Sequence, residues 1–574
     1  MIKARVPAQN PEATLNNYDQ LRQSFHWSDM ETELGLTATS LTNIITQSID
    51  KWAAHPKKSG HPALVFEKQG RTTAVTYQQL RDISAQWAAF FTRQGFTVGD
   101  RLMILLPPCR EFFFALAACA RAGIVFCPVF ASSGYNELET RLTDISPRGI
   151  LTNPDLMENI PPDNATGLET IFLTRTGPGL YRNEIDLQDK IAAMPADFPA
   201  RQLPLTSPLY IIYTSGSTQR PKGIVHCHGD MIGIYASARW ALDLTDTDVL
   251  WTDADPAWVT GTVYGAFAPW LCGVTSIVSE TPFTAANCYR ILETCGVTVW
   301  YTTPHTIRML IDAGDDLPGR YDLNALCHLA TVGSPLMPDL FFWAKKHLGN
   351  SPHDNWWMSE TGIICLANLP ALDIKPGAIG KPLPGITAAV LDDDGVEMPP
   401  LSLGQLAIKR GWPGMMQGLW QDPLRYEAYF LNDWFLTGDI ALQDEEGYFY
   451  HQGRLDDILK TAENRSIGPF EVEQALCRHP AVAEAAVIAK GKNRESGTSM
   501  LKAFVIVKPD YLPSRRLNQE IRTFLRASIA PDILIDEMTF IDSLPRTRSG
   551  KLLRRVLRAW ELGLPGGDAA SMSD

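Results

Sequence analysis

At 574 residues, with 45% apolar and 20% charged side chains, the chain is too long for one ordinary domain and long enough to bury a large core. A net charge of −13 excludes broad binding to nucleic acid or to an anionic membrane, while leaving room for a locally basic pocket. The ten cysteines lack paired C-x-x-C spacing, which argues against zinc and a disulfide framework and for reduced thiols in a cytoplasmic protein.

The N-terminal MIKARVPAQNPEATLNNYDQL lacks the apolar run of a secretory signal. The longest apolar region, Phe112 to Phe130, is interrupted by Arg121 and bounded by Arg110 and Glu111, so no transmembrane helix is expected. It reads as strand RLMILLP, helix CREFFFALAACARAG and strand IVFCPVF, a β-α-β unit whose strands are apolar on both faces. The alternation recurs at LYIIYTSG, at TSIVSE and at VTVWYTTP followed by HTIRMLIDAG, which predicts an α/β fold with a large, substantially parallel body over 1–455. After Trp434 charge increases: EEGYFYHQG suggests a hairpin, and PFEVEQALCRHPAVAEAAVIAK a helix then a strand. A small α+β domain over 456–562 and a frayed Gly/Ser/Asp tail over 563–574 complete the expected organisation.

Two distant stretches carry chemistry. In YTSGSTQRPKG, at 213–223, an apolar strand runs into a loop in which Gly216 admits positive φ, Thr214, Ser215, Ser217 and Thr218 offer hydroxyls, and Lys222 offers charge. Such a loop suits a polyphosphate, although its glycine spacing is not that of G-x-x-x-x-G-K-S/T. In LPRTRSGKLLRR, at 544–555, Lys551 follows Ser-Gly and is flanked by arginines. Taken alone, the first stretch would be an exposed turn and the second a solvated basic helix start.

Together with the segment Trp258 to Gly261, HDNWWMSETG, FLTGD and GRLDD, these motifs stand in an order that resembles the adenylate-forming superfamily of acyl-CoA synthetases, peptide-synthetase adenylation domains and luciferases. Within it the resemblance is strongest to AMP-forming acetyl-CoA and short-chain acyl-CoA synthetases, and it spans roughly Pro62 to Arg558. It implies a large ATP- and acyl-binding domain with a small mobile lid, and a two-step ligase. A carboxylate attacks the α-phosphate of MgATP, pyrophosphate leaves, and the acyl-adenylate loses AMP to the thiol of CoA. Chemistry of this kind needs cations, backbone donors and a metal-bearing carboxylate held in register.

By the same resemblance Thr214 to Lys222 hold the β- and γ-phosphates, Glu360 carries Mg²⁺ and Ser359 sits against the α-phosphate. Gly333, Ser334 and Pro335 form the adenine turn, with Asp354, Asn355, Trp356 and Met358 nearby; Asp439 accepts the ribose hydroxyls beside Arg454. Asp456 marks the hinge, and Lys551 bridges the substrate carboxylate and the α-phosphate, a role that acetylation of the lysine would silence. Trp357 corresponds to the floor of the acyl pocket, with Trp258, Val259, Thr260 and Val332 as walls, which implies acetate first, then propionate or a small branched acid. No nucleic-acid or membrane partner is implied, and a homo-oligomer is compatible with the chain.

The sequence departs from the family pattern in three places. Gln219-Arg220 replaces Gly-Lys in the phosphate loop, and Ser334 replaces a glutamate. In TAENRSIGP, Glu463 or Asn464 takes the place of the glycine that lines the pantetheine tunnel, and Arg526 is the one candidate contact for a CoA phosphate. These changes keep alternatives in view: an adenylating enzyme with a non-CoA acceptor, a medium-chain or aromatic acyl-CoA synthetase, or a non-catalytic nucleotide sensor. Lys551→Ala should abolish acyl-adenylate formation, read as pyrophosphate release, and spare thioester formation from supplied acyl-adenylate. Equal loss of both would remove the lysine from the first step.

Overall fold

The computed structural model describes residues 14–15, 17–37, 39–161, 168–175, 184–187, 189–214, 222–457, 459–460, 466–492, 499–528, 533, 535–547 and 552–561. Two parallel-centred sheets dominate the body. The first has eight strands, ordered from Gly418–Leu419 through Lys222–Cys227, Pro208–Thr214, Val125–Val129, Arg101–Leu105, Gly149–Thr152 and Thr170–Leu173 to Glu184–Asp186. The second has nine, ordered from Lys381–Pro382 through Leu366–Ala367, His353–Trp356, His328–Thr331, Val299–Thr302, Val249–Thr252, Thr275–Ser279 and Pro62–Lys68 to Arg71–Thr76. Antiparallel strands close each sheet where the chain returns by a hairpin, as between Pro208–Thr214 and Lys222–Cys227.

The expected β-α-β unit is present as Arg101–Leu105, helix Arg110–Ala122 and Val125–Val129, with the two strands parallel. The helix is 13 residues long, well short of the ~20 a bilayer core requires, and Gly123 ends it in the left-handed conformation at φ 73°. No helix among the described residues is long and apolar enough to cross a membrane. The apolar faces of both sheets meet in one continuous core, in which Phe113 lies 6.1 Å from Phe66 and 6.5 Å from the fully buried Trp270, and Phe126 lies 6.0 Å from Phe267. Each such aromatic contributes roughly 2–3 kcal/mol through area removed from water. The aromatic density of FFFALAAC thus becomes the joint between two layers.

The sequence reading did not separate a third sheet. Strands Ala388–Leu391, Gly404–Lys409, Phe430–Leu431, Trp434–Gln443 and Phe449–Arg454 are all antiparallel, and the hairpin anticipated at EEGYFYHQG belongs to this sheet. Farther on, Val482–Lys492, Ser499–Val507 and Ile535–Phe540 form a separate sheet, against which helices Pro469–Cys477 and Arg515–Ser528 build their own core around Val472, Leu476, Val505 and Ile521. All ten cysteines are among the described residues and are free thiols.

Gly380 stitches the second sheet to the third: it bridges Phe449, whose amide donates to the Gly380 carbonyl at 2.9 Å. Its φ is +92°, and a Cβ there would stand 1.9 Å from the carbonyl carbon of Ala367, so no side chain fits. Gly380→Ala should lower the urea midpoint of unfolding substantially; an unchanged midpoint would show that the two sheets do not depend on this contact.

Candidate active site

A cavity of about 940 Å³ opens where the C-terminal edges of both parallel sheets meet the third sheet and the small domain. It collects Thr214, Lys222, Trp258, Val259, Thr260, Val332, Gly333, Ser334, Pro335, Asn355, Trp356, Trp357, Met358, Ser359, Glu360, Asp439, Arg454 and Asp456 from the expected set. Ser215, Gly216, Ser217, Thr218, Glu463, Asn464 and Lys551 lie outside the described residues. Arg526, in the last turn of Arg515–Ser528, is exposed and does not line the cavity.

Thr214 and Lys222 are cross-strand partners at the mouth of the hairpin whose tip carries the Ser/Gly loop. The Lys222 ammonium donates to the Tyr429 hydroxyl and lies 4.8 Å from that ring's centroid, while the hydroxyl donates to Glu360 Oε1 at 3.4 Å. Burial lowers the Lys222 pKa, and the neighbouring Glu360 opposes the shift. A lysine, a phenol and a carboxylate from three distant segments therefore share one wall, and the phenol was not anticipated from sequence.

Beyond strand His353–Trp356 the chain leaves regular structure, and its carbonyls take distant donors. His226 Nε2 donates to the Ser359 carbonyl at 2.8 Å, the Met416 amide to Glu360 at 3.0 Å and the Trp412 indole to Thr361 at 2.9 Å. His226 is itself fixed at 2.6 Å by Asp230 Oδ2, both side chains being buried. The backbone that presents Ser359 and Glu360 is thus held from outside the motif.

Asp439 and Arg454 face each other across adjacent strands of the third sheet, with Arg454 Nη1 donating to Asp439 Oδ1 at 2.7 Å. The Trp356 indole donates to Oδ2 at 2.8 Å, and His451 Nε2 stands 3.4 Å from the same oxygen. Both oxygens of the Asp439 carboxylate are thus oriented from neighbouring side chains. Asp439 is only 6% exposed, which sets the pair apart from a solvent-screened surface bridge.

Asp354, expected near the adenine turn, does not line the cavity. Its carboxylate is buried behind the cavity wall, accepting from Thr331 Oγ1 at 2.8 Å and from the Leu336 amide at 3.1 Å. It clasps the turn that carries Gly333, Ser334 and Pro335. Gly333 itself adopts φ +97°, and a Cβ there would come within 3.2 Å of the Trp258 indole, so the turn packs directly on Trp258.

The Trp357 indole donates to the Tyr301 hydroxyl at 2.9 Å, and that hydroxyl donates to Asn355 Oδ1 at 2.8 Å. Tyr264 packs edge-on against both, at 5.1 Å from Trp357 and 5.5 Å from Tyr301. Neither tyrosine was singled out from sequence, because each looks like ordinary strand or helix core.

From the small domain, Arg546, Thr547 and Leu552, which flank the 548–551 stretch, line the cavity, and Arg546 pairs with Glu484 at 2.8 Å. Arg554 pairs with Glu473 at 2.7 Å and Arg558 with Asp457 at 2.6 Å. Arg558 also donates to the Asp456 carbonyl at 3.2 Å, so Arg546, Arg554 and Arg558 are engaged with carboxylates and backbone rather than simply solvated.

The AMP-binding enzyme family model matches residues 50–420, and the AMP-binding enzyme C-terminal domain model matches 471–551. The acetyl-coenzyme A synthetase of Bacillus subtilis is 39% identical over 571 residues, 99% of this chain and 99% of that protein. That of Methanothrix thermoacetophila is 36% identical, covering 89% of this chain and 81% of its own. Among solved structures, an acyl-CoA synthetase of Brucella canis is 28% identical with a TM-score of 0.75, over 96% of this chain and 99% of that chain. A benzoate CoA ligase of Burkholderia xenovorans, at 24% identity and a TM-score of 0.78 over 90% of this chain and 100% of that chain, shares the fold.

Burial pushes the Asp354 carboxyl up to about 7, against the lowering effect of its bonds from Thr331, Leu336 and Asn355. An acid whose pKa is higher folded than unfolded binds more protons in the native state, so stability falls as pH rises from about 4 to about 7 and levels off above. Asn in this place would still accept from the Leu336 amide and reach Thr331. The melting temperature of Asp354→Asn should therefore vary less than the wild type's across this window; parallel curves would show that Asp354 ionises in both states alike.

Proposed function

The chain belongs to the AMP-binding enzyme family, and from that premise we propose that it is an AMP-forming acid–thiol ligase that activates acetate and passes the acetyl group to CoA. The supporting observation is that one cavity joins Lys222, Glu360, Asp439 and Arg454 to a pocket floored by Trp357. In the first step an acetate oxygen bonds to the α-phosphorus of ATP as the bond to the bridging oxygen breaks, and pyrophosphate carries the electron pair away. In the second the CoA thiolate adds to the acyl carbon and AMP departs with the mixed-anhydride oxygen. Both steps are reversible in principle.

In this reading Thr214, the Ser/Gly loop and Lys222 bind the β- and γ-phosphates, Ser359 meets the α-phosphate, and Lys551 neutralises charge on the oxygens around it. Asp439 orients the ribose, while the turn Gly333 to Pro335, clasped by Asp354, holds the base. Glu360 would hold Mg²⁺: a hard octahedral cation needs one carboxylate, with phosphate oxygens and water completing its shell, and Glu360 is buried in the same wall as Lys222. Bound there, the ion supplies charge neutralisation to the triphosphate. Arg546, Thr547 and Leu552, on either side of Lys551 in sequence, line the cavity, which fits an arrangement for adenylation; rotation of 456–562 about Asp456 against 1–455 would then admit CoA. Acetylation of Lys551 would switch the first step off. A reducing, cytoplasmic setting agrees with ten free cysteines.

Trp357 supports the smallest acid. Attraction gains only ~0.8 kcal/mol per methylene, so a pocket that merely welcomes carbon discriminates weakly, whereas a buried indole excludes. AMP and acyl-CoA formation from MgATP and CoA, across acetate, propionate, butyrate, isobutyrate, hexanoate and benzoate, should be fastest with acetate, then propionate. Trp357→Gly should move the optimum toward longer acids. Pyrophosphate release without acyl-CoA would point to another acceptor and to the Glu463–Asn464 departure as its cause, and an unchanged profile in Trp357→Gly would reduce the indole to core packing.

A further inference from the structure

Tyr301 does not line the cavity; it lies behind it on strand Val299–Thr302, with no exposed surface. Its hydroxyl accepts the Trp357 indole N–H at 2.9 Å and donates to Asn355 Oδ1 at 2.8 Å, so the donor and acceptor capacities are both in use. The ring stands nearly perpendicular to Tyr264, at 87°, and Tyr264 stands at 80° to Trp357. Tyr264 is fixed in turn, accepting from the Ile364 amide at 2.8 Å and sharing a hydrogen bond of 2.8 Å with Ser237.

An indole can yield to a longer acid only by turning about its side-chain torsions. Here turning would take the indole N–H away from the wholly buried Tyr301 hydroxyl, leave that hydroxyl without the donor it accepts from, and break the edge-on packing at the same time. Resting on the reading of Trp357 as the acyl floor, we propose that Tyr301 is the positioning residue that sets acid-size selectivity, by locking the indole in the orientation that closes the pocket. Through Asn355, which lies on the strand leading to Trp356 and Trp357, the same hydroxyl ties the floor to the nucleotide wall. Size exclusion at Trp357 is therefore a property of the Tyr301–Trp357 pair.

The test is the ratio of kcat/KM for acetate to that for butyrate in acyl-CoA formation. In Tyr301→Phe the ratio should fall by roughly tenfold, the order that separates substrates differing by one methylene. In a Trp357→Phe background, where no indole N–H remains to be held, adding Tyr301→Phe should leave the ratio where it was. A single variant that slows both acids equally, or a double variant in which the effects simply multiply, would overturn the role, because a merely structural tyrosine behaves that way. A second measurement needs no change at Tyr301. The Trp357 indole N–H of the wild type, assigned by its loss in Trp357→Phe, should exchange with deuterium slowly, and complete exchange by the first spectrum would also overturn the lock. Failure of the wild type to form acetyl-CoA would sink the acetate reading itself, whereas acetyl-CoA formation with an unmoved ratio sinks only the role of Tyr301.

Discussion

The site depends on one irregular stretch of chain, Trp357 to Gly362, keeping a single conformation while buried. A buried segment outside helix or sheet must find partners for its peptide groups one by one, because each unpaired group costs roughly 1–3 kcal/mol. Here the partners come from far along the chain: His226 for Ser359, Met416 for Glu360 and Trp412 for Thr361. Gly362 closes the stretch at φ +66°, where a Cβ would stand 2.0 Å from the Gly414 carbonyl oxygen. Three consecutive carbonyls are thereby pinned, and the Ser359 and Glu360 side chains line the cavity. Under the proposed assignments the acyl floor, the α-phosphate contact and the metal carboxylate all sit on these few residues, so their mutual spacing is set before any substrate arrives.

The charge distribution follows the same logic of holding groups ready. The chain is strongly acidic overall, yet the cavity is lined by Lys222, Arg454, Arg546, Arg554 and Arg558. Four of these cations are engaged by nearby carboxylates: Arg454 by Asp439, Arg546 by Glu484, Arg554 by Glu473 and Arg558 by Asp457. Pairing fixes each guanidinium and offsets the repulsion among them. Lys222 differs, because its partner is the neutral Tyr429. For the phosphate contact proposed for Lys222, exchanging a phenol oxygen for a phosphate oxygen gives up less than breaking an ion pair would.

What was legible in the sequence was what is continuous in it. The phosphate-loop strand, the NWWMSETG turn and the FLTGD strand each carry their chemistry within a dozen residues, and each reaches the cavity. The helix Arg110–Ala122 was legible from its apolar run and flanking strands. Partnerships across distance were not. Tyr429 meets Lys222 from 207 positions away and Tyr301 meets Trp357 from 56, and neither tyrosine has a local signal that distinguishes it from core. The division of the body into two parallel sheets and one antiparallel sheet was hidden for the same reason, since β-α-β units look alike in whichever sheet they pair. Asp354 shows the converse: a polar residue within the motif whose side chain is taken up behind the wall by Thr331 and the Leu336 amide, partners that its local sequence does not disclose.

Selectivity among small acids is a problem of exclusion, and exclusion is only as strong as the wall is stiff. A lone tryptophan at the end of a pocket would give way by rotating, and the cost of that rotation would set the penalty for a larger acid. Dispersion against the perpendicular Tyr264 ring raises the cost modestly, while the loss of the buried hydrogen bond from the indole N–H to the phenol raises it further. The network that stiffens the floor also runs through Asn355 to the strand carrying Trp356, whose indole holds Asp439. The contacts proposed to read the acid and those proposed to hold the ribose are therefore mechanically joined. A floor displaced by an oversized acid would strain the nucleotide side as well, and discrimination would fall on the step in which acid and ATP must be aligned together.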